Sequence, residues 1–192
     1  MQTIRILDEK NYTEDMPVFE RFVVRALIEK DGLFAMQKGK HGEYKIPGGG
    51  MDEGETIVQA LMREVQEETG LVIIPESMKE LGQIIEIRRD IFDEKIKYIA
   101  HSMHYACEVK PEMVETALTE SEKEKGFQLV WADIDTIIET NERVMTESEK
   151  ERGFHLAWVD IDTVIETNER LLTEKWQFRD VEFLKWYKEQ CK

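Results

Sequence analysis

The stretch GGMDEGETIVQALMREVQEETGL, residues 49–71, decides the fold because it joins a glycine-rich turn to an amphipathic helix. Ile57, Leu61 and Val65 recur every four residues, which is the spacing of one apolar helix face. Gly70 stands where a left-handed residue commonly ends a helix. The pattern predicts a helix over Glu55–Thr69 that packs its apolar stripe against a core.

Three carboxylates share one side of this helix. Glu64, Glu67 and Glu68 stand at positions i, i+3 and i+4, and Glu68 falls within the apolar stripe. Adjacent carboxylates near a core are costly unless a cation compensates them. Mg²⁺ or Mn²⁺ would fit, since hard cations prefer oxygen ligands. An ordinary solvated acidic face is the alternative, and Arg63, Glu55 and the flanking glycines argue against it.

The residues just before this stretch strengthen the interpretation. Residues 47–50 read PGGG. Glycine permits positive φ angles and lets the backbone approach a metal or a phosphate closely. We interpret this turn and the helix together as a loop–helix metal site.

The full spacing G-x5-E-x7-R-E-U-x-E-E-x-G-U, in which U is a bulky aliphatic residue, resembles the signature of the Nudix hydrolases, the Nudix box. Its fixed positions are filled by Gly49, Glu55, Arg63, Glu64, Val65, Glu67, Glu68, Gly70 and Leu71. The resemblance implies an α/β fold, namely an α/β/α sandwich with a mixed β-sheet. It also implies metal-dependent cleavage, by water attack at phosphorus, of a nucleoside diphosphate linked to another group.

The resemblance further implies roles for individual residues. The expected ligands of Mg²⁺ or Mn²⁺ are the side chains of Glu64, Glu67 and Glu68 and the carbonyl of Gly48. Arg63 would orient the glutamates through an ion pair, and Glu55 would support the loop. The substrate would be a small molecule: a nucleoside triphosphate (NTP), a nucleotide sugar, ADP-ribose or a related compound.

The general base varies within the family, so several candidates stay open. It is either a box glutamate, Glu67 or Glu68, or a carboxylate from a later loop. The TESEKE segments downstream offer such carboxylates: Glu120, Glu122 and Glu124, or Glu147, Glu149 and Glu151. Solvated charged loops are the alternative interpretation of these segments. Two roles likewise stay open for four basic residues of the preceding loop: contacts with phosphate, or a place in a solvated loop. These residues are Lys38, Lys40, His41 and Lys45.

Residues 119–145 and 146–172 are copies of one another, offset by 27 residues and different at seven positions. Each copy holds an alternating F-x-L-x-W strand pattern, followed by aspartates that can cap a helix: Asp133 or Asp135, and Asp160 or Asp162. We therefore expect a duplicated strand–helix unit inside one domain spanning residues 1–192. Either the fold tolerates a neutral duplication, or the extra unit reshapes the pocket or forms a homodimer, because an unpaired strand is a template for pairing.

Apolar runs bounded by turn residues predict the other elements. The expected strands are Phe19–Ile28, Leu33–Gln37, Leu81–Arg89 and Lys95–Val109. The first of these should be buried, and the last two should form a hairpin or a long meander. A closing helix is expected over Trp176–Tyr187, with Phe178, Val181, Leu184 and Trp186 available for packing. Residues 38–50 read as a loop.

The chain is acidic, with a net charge of −15, which argues against non-specific binding to nucleic acid or to an anionic membrane. A signal pattern and a long apolar segment are both missing, and Cys107 and Cys191 lack metal-binding spacing, so we expect a cytoplasmic protein. His101 and His104 lie three apart on a predicted strand and should point to opposite faces.

A non-catalytic nucleotide-sensing or scaffold protein is the alternative function. The complete set of box glutamates argues against it, as does the lack of a basic helix-turn-helix segment.

Overall fold

Residues 1–151 and 175–191 are described by a computed structural model. The strands are β1 Thr3–Asp8, β2 Val18–Leu27, β3 Glu29–Lys30, β4 Leu33–Lys38, β5 Tyr44–Lys45, β6 Leu71–Ile73, β7 Lys79–Arg89, β8 Lys97–Ala106, β9 Val109–Met113 and β10 Gln128–Ala132. The α-helices are α1 Ile57–Thr69, α2 Glu120–Lys125, α3 Ile134–Glu151 and α4 Lys175–Gln190. The strand and helix predicted for the second copy, after residue 151, lie outside the described residues.

The main sheet is mixed and has the strand order β1-β7-β8-β2. Strands β7 and β8 form the predicted antiparallel hairpin, whereas β1 and β2 run parallel to their neighbours. The glycine loop covers the outer edge of β2, since Val24 N donates to Gly49 O at 2.9 Å and Met51 N to Phe22 O at 3.0 Å. A smaller sheet has the order β10-β4-β3, and β6 pairs with β9.

Apolar layers lie on both faces of the sheets. On one side Leu61 and Val65 of α1 pack with Val24 of β2, and all three are fully buried. On the other side Ile137 of α3 and Phe183 of α4 belong to a separate buried cluster. The predicted α/β/α sandwich with a mixed sheet is confirmed. In the described part of the chain, no helix has the length and apolar character needed to span a membrane.

Helix α1 begins two residues later than predicted. Thr56 caps it: the Thr56 hydroxyl accepts from Gln59 N at 3.3 Å, and the Gln59 amide oxygen accepts from Thr56 N at 2.9 Å. The predicted end is right, since Gly70 is left-handed with φ 74° and its N–H donates to Gln66 O. Glu55 therefore lies before the helix, in the loop.

Other predicted elements needed correction. Strand β2 is buried only from Val23 onward, and its first five residues are exposed. The strand predicted over Lys95–Val109 divides into β8 and β9. In α4, Phe178 is exposed, whereas Phe183 is fully buried and stacks on His104 with ring centroids 3.8 Å apart. His101 instead stacks on Phe22, so the two histidines face opposite sides as predicted.

The first copy of the repeat forms the strand–helix unit expected of it. Phe127 is buried before β10, which pairs antiparallel with β4. Asp133 rather than Asp135 caps α3, since its carboxylate accepts from Thr136 N at 2.9 Å. Asn141 of α3 is buried and bridges the backbone N–H and carbonyl of Tyr44, both at 2.7 Å.

The two TESEKE segments adopt different positions. In the first copy, Thr119 caps the short helix α2, so this segment is a helix rather than the expected loop, although most of its residues are exposed as a solvated segment should be. In the second copy, residues 146–151 continue α3 across the junction between the copies. The two identical segments differ in structure because only the second follows a helix, which it extends.

Candidate active site

The carboxylates of α1 and the glycine loop line one cavity of about 500 Å³. Residues 48–50 and the side chains of Glu64, Glu67 and Glu68 all contribute to its wall. The residues predicted to bind a metal therefore all line the same cavity.

Glu68 is the buried member of this set, only 3% exposed. Its carboxylate accepts from Gly48 N at 2.7 Å and from the Lys45 ammonium at 2.5 Å. Burial raises the pKa of Glu68 to about 7, although Lys45 and Arg25 act in the opposite direction. Lys45, which the sequence left open between a phosphate contact and a solvated loop residue, is part of the site.

Arg63 connects the other box carboxylates. Its Nε and Nη2 donate to the two oxygens of Glu55 at 2.7 and 2.8 Å, a two-bond pairing that fixes the guanidinium plane. Its Nη1 donates to Glu64 at 2.7 Å and to Glu67 at 3.3 Å. The hydrogen bond from Arg63 lowers the pKa of Glu55 to about 2, and the same bond raises the pKa of Arg63. Arg63 also donates to the carbonyl of Gly50 at 3.1 Å, so it joins loop and helix.

Two glycines of the loop have no room for a side chain. A Cβ at Gly48 would lie 2.0 Å from the carbonyl oxygen of Val24, and φ at Gly48 is +133°. A Cβ at Gly49 would lie 2.3 Å from Glu64 Oε2. The glycines therefore let the loop backbone lie directly against β2 and against a box carboxylate.

Arg25 is a site residue that the sequence reasoning missed. Its Nη1 donates to the carbonyls of Ile46, at 3.1 Å, and of Gly48. The carbonyl predicted as a metal ligand is thus held in place by a buried arginine of β2. A charged residue inside the apolar run FVVRALI was the available sign of this role.

Helix α2 brings one of the candidate bases to the cavity. Glu122 is half-buried and lines the cavity near Glu68, whereas Glu120 and Glu124 are exposed. Its carboxylate also accepts from Thr119 N at 2.8 Å within the capping box of α2. Glu147, Glu149 and Glu151 of the second copy lie on α3.

The wall opposite α1 carries charged residues that the sequence reasoning also missed: Arg21, Glu86, Arg88 and Arg179. Glu86 and Arg88 alternate along β7 with Ile85 and Ile87, which places them on one face of the sheet. Only the tertiary fold brings Arg179 of α4 beside them.

The donor chemistry fits a hard divalent cation. Carboxylates and a backbone carbonyl are the ligands that Mg²⁺ and Mn²⁺ prefer. As arranged, the box carboxylates contact Arg63, Lys45 and Gly48 N. Accordingly, within residues 1–151 and 175–191 no group of three or more His, Cys, Asp or Glu side chains converges closely enough to hold a metal ion.

Comparison with known protein families agrees with this arrangement of loop and helix. The NUDIX domain matches residues 20–187, most of the chain and all of the candidate site. The chain belongs to the Nudix family. The Nudix box therefore lies inside a domain match that covers most of the chain, and it is not an isolated motif.

Curated relatives match mainly over short segments. The human 8-oxo-dGDP phosphatase NUDT18 is 46% identical over 55 residues, which is 27% of this chain and 17% of the human protein. An ADP-ribose pyrophosphatase of Methanocaldococcus jannaschii is 42% identical over 53 residues, covering 26% of this chain and 31% of that protein. The chain therefore spans less than a third of the length of these two relatives.

Two further comparisons extend over more of the Nudix chain. The Nudix hydrolase YvcI of Bacillus subtilis is 29% identical over 123 residues, 64% of this chain and 71% of the relative. A solved NUDIX hydrolase from Nitrosomonas europaea aligns with a TM-score of 0.47 at 20% identity, over 74% of this chain and 97% of that structure.

Proposed function

We propose that this Nudix protein hydrolyses a diphosphate linkage in a small nucleoside diphosphate derivative, with Mg²⁺ or Mn²⁺ bound by the Nudix box. The proposal rests on one observation: the carboxylates of α1 and several cationic side chains line the same cavity. Carboxylates suit a divalent cation and guanidinium groups suit phosphates, so the cavity holds the two kinds of group that diphosphate hydrolysis needs.

The metal would be held by Glu64, Glu67, Glu68 and the carbonyl of Gly48. When bound, the cation would polarise phosphoryl oxygens and lower the pKa of a bound water. Arg63 positions Glu64 and Glu67 through its hydrogen bonds, and Glu55 fixes Arg63 in turn. Such supporting contacts commonly change metal affinity or activity by about 10–100-fold.

Glu122 is our candidate for the group that accepts the proton of the attacking water. It is the carboxylate of the first TESEKE segment that lies at the cavity, next to Glu68. A general base must lie within hydrogen-bond reach of the water, directly or through one further water. Glu67 and Glu68 remain the alternatives, because both line the same cavity.

A reducing, cytoplasmic setting is part of the proposal, as is a small-molecule rather than a nucleic-acid substrate. Cys107 and Cys191 are both free thiols in the structure. The acidic surface, with a net charge of −15, disfavours a polyanionic nucleic acid outside the cavity. A homodimer formed through the repeat is a separate proposal that deletion of the second copy would test.

A substrate screen tests the reaction. The purified protein is incubated in H₂¹⁸O with NTPs, nucleotide sugars and ADP-ribose, in Mg²⁺ or in EDTA, and the products are identified by mass spectrometry. We expect one substrate class to be cleaved in Mg²⁺ only, with ¹⁸O on one phosphate-containing product. Binding of nucleotides without turnover under any metal condition would favour the sensing or scaffold alternative.

A further inference from the structure

The wall of the cavity opposite α1 is cationic. Three arginines from the sheet and one from α4 line it: Arg21, Arg25, Arg88 and Arg179. The carboxylate on this wall is Glu86, which accepts from Arg88 Nε at 2.6 Å and lies 3.8 Å from Arg179 Nη1. One glutamate therefore forms ion pairs with two buried guanidinium groups.

The positive charge on this wall is buried and only partly compensated. Arg25 is 5% exposed and Arg179 is 6% exposed, and within the described residues neither Nε contacts a hydrogen-bond acceptor. Asp180 is a second carboxylate near Arg179, and one of its oxygens accepts from Ile46 N at 3.0 Å, so Glu86 and Asp180 together face the three buried arginines Arg25, Arg88 and Arg179. A buried charge without full compensation is costly, so its presence points to an anionic ligand.

The neighbouring groups respond to the same excess of charge. The pKa of His104 is lowered well below its usual value, first by burial and then by Arg179 and Arg25. Burial and the repulsion of Arg25 also lower the pKa of Arg179, although Asp180 and Glu86 act in the opposite direction. Both directions are those that a bound anion would oppose.

The guanidinium group of Arg88 is also fixed in position. Arg88 lies over the ring of Tyr98 at 4.1 Å and donates to the carbonyl of Arg89 at 2.9 Å. A guanidinium held flat in this way presents its remaining N–H groups in a rigid fork, the geometry that matches phosphate oxygens.

We propose that Arg88 and Arg179 bind a further phosphoryl group of the substrate, on the side of the cavity away from the box carboxylates. The substrate class is then one whose charge extends beyond the cleaved linkage, as in a nucleoside triphosphate. Compounds such as ADP-ribose or a hexose nucleotide end in an uncharged sugar that gives these arginines no further phosphate to bind. The assignment of substrate rests on the proposed hydrolysis, whereas the binding of an anion does not.

Thermal unfolding with inorganic triphosphate in EDTA tests the anion site without any turnover. At a concentration about 100 times Kd, the wild-type midpoint should rise by about 5–10 °C relative to potassium chloride of equal ionic strength. Arg88→Met and Arg179→Met should abolish most of this rise. The control Arg5→Met removes an exposed arginine outside the cavity and should keep the rise, and Arg88→Lys should keep part of it.

The anion-free midpoints separate a binding role from a structural one. If Arg179 serves to bind an anion rather than to stabilise the fold, the unfolding midpoint of Arg179→Met without triphosphate should lie within a few degrees of that of Arg5→Met. The reason is that the substitution removes a poorly compensated buried charge. A large fall in this midpoint, or failure to fold, would show that Arg179 is structural and would overturn the proposal. An undiminished response to triphosphate in both cavity variants would overturn it as well.

Steady-state rates then distinguish this proposal from the proposed function. We expect kcat/KM for the preferred NTP to exceed that for ADP-ribose, and Arg88→Met to reduce the preference at least tenfold. Hydrolysis that favours ADP-ribose in the wild type would contradict the substrate class while leaving the hydrolase intact. A triphosphate-dependent midpoint without hydrolysis of any compound would contradict the hydrolase while leaving the anion site intact.

Discussion

Placing a methyl group at Gly49 should displace a metal ligand without unfolding the protein. A Cβ there would lie 2.3 Å from Glu64 Oε2 and 2.5 Å from its carboxyl carbon. Ordinary contacts between heavy atoms are about 3.5 Å, so the carboxylate must move by roughly 1 Å. The backbone at Gly49 does not require a positive φ, and the atoms that must yield are the end of a flexible side chain. The strain should therefore fall on the site rather than on the fold.

A displacement of this size costs about 100-fold in rate when it affects a catalytic constellation. We expect Gly49→Ala to lower kcat about 100-fold and to weaken Mn²⁺ binding about 10-fold or more. Its free energy of unfolding should stay within about 1 kcal/mol of the wild type. The metal affinity is read from the electron paramagnetic resonance of free Mn²⁺, and the stability from urea unfolding followed by circular dichroism.

Gly39→Ala is the matched control. Its Cβ would lie 2.1 Å from Glu43 Oε1, the same kind of collision between a methyl group and a glutamate, but at a position outside the cavity. It should have a similar effect on stability and none on Mn²⁺ affinity. Equal metal affinity and equal kcat in Gly49→Ala and the wild type would refute the placement of Glu64 at the metal.

Three further predictions concern pH, the Arg63 contacts and the repeat. In EDTA, the stability of the wild type relative to Glu68→Gln should fall by about 3 kcal/mol as the pH rises from about 4.5 to about 7, as measured by urea unfolding. The sign follows because the folded protein, with its raised Glu68 pKa, holds a proton that the unfolded chain has already lost; a flat difference would contradict the burial argument. Arg63→Lys should reduce kcat about 10–100-fold with an unchanged circular dichroism spectrum, since lysine cannot form the two-bond pairing with Glu55; wild-type turnover would show that the pairing does not position the ligands. Deletion of residues 146–172 should leave the unfolding midpoint and turnover unchanged, because the first copy already makes contacts such as that of Asn141 with Tyr44. A changed mass of the deletion variant in light scattering would instead indicate self-association through the repeat.

The sequence predicted most reliably what local periodicity determines. The apolar spacing of α1 and the cap at Gly70 follow from neighbouring residues, and both are confirmed. The start of α1 was misplaced because Glu55 is compatible with a helix, whereas the Thr56–Gln59 capping box is the stronger local preference.

The rest of the site depends on contacts between distant residues. Glu122 reaches Glu68 only because β10 pairs with β4 and so places α2 beside the cavity. The arginine wall joins Arg21, Arg88 and Arg179 from three separate elements, and no spacing in the sequence shows that they meet. A charged residue inside an apolar run was the one sign available beforehand, at Arg25 in β2 and at Glu86 in β7.

The repeat shows that sequence identity alone does not set local structure. Residues 119–124 and 146–151 are identical in sequence. The first segment begins a new helix at the Thr119 cap, and the second extends α3. The conformation of the chain before each segment decides which outcome is obtained.

If the carboxylates of α1 support metal-dependent hydrolysis, Glu67→Gln should lose turnover. Glu67 is 43% exposed, so its substitution should not disturb the core, and Glu53→Gln provides a control in the exposed loop before the helix. In saturating Mg²⁺, on the substrate found in the screen, we predict that Glu67→Gln lowers kcat about 100-fold or more while Glu53→Gln retains wild-type turnover. Wild-type kcat and unchanged Mg²⁺ dependence in Glu67→Gln would contradict the account.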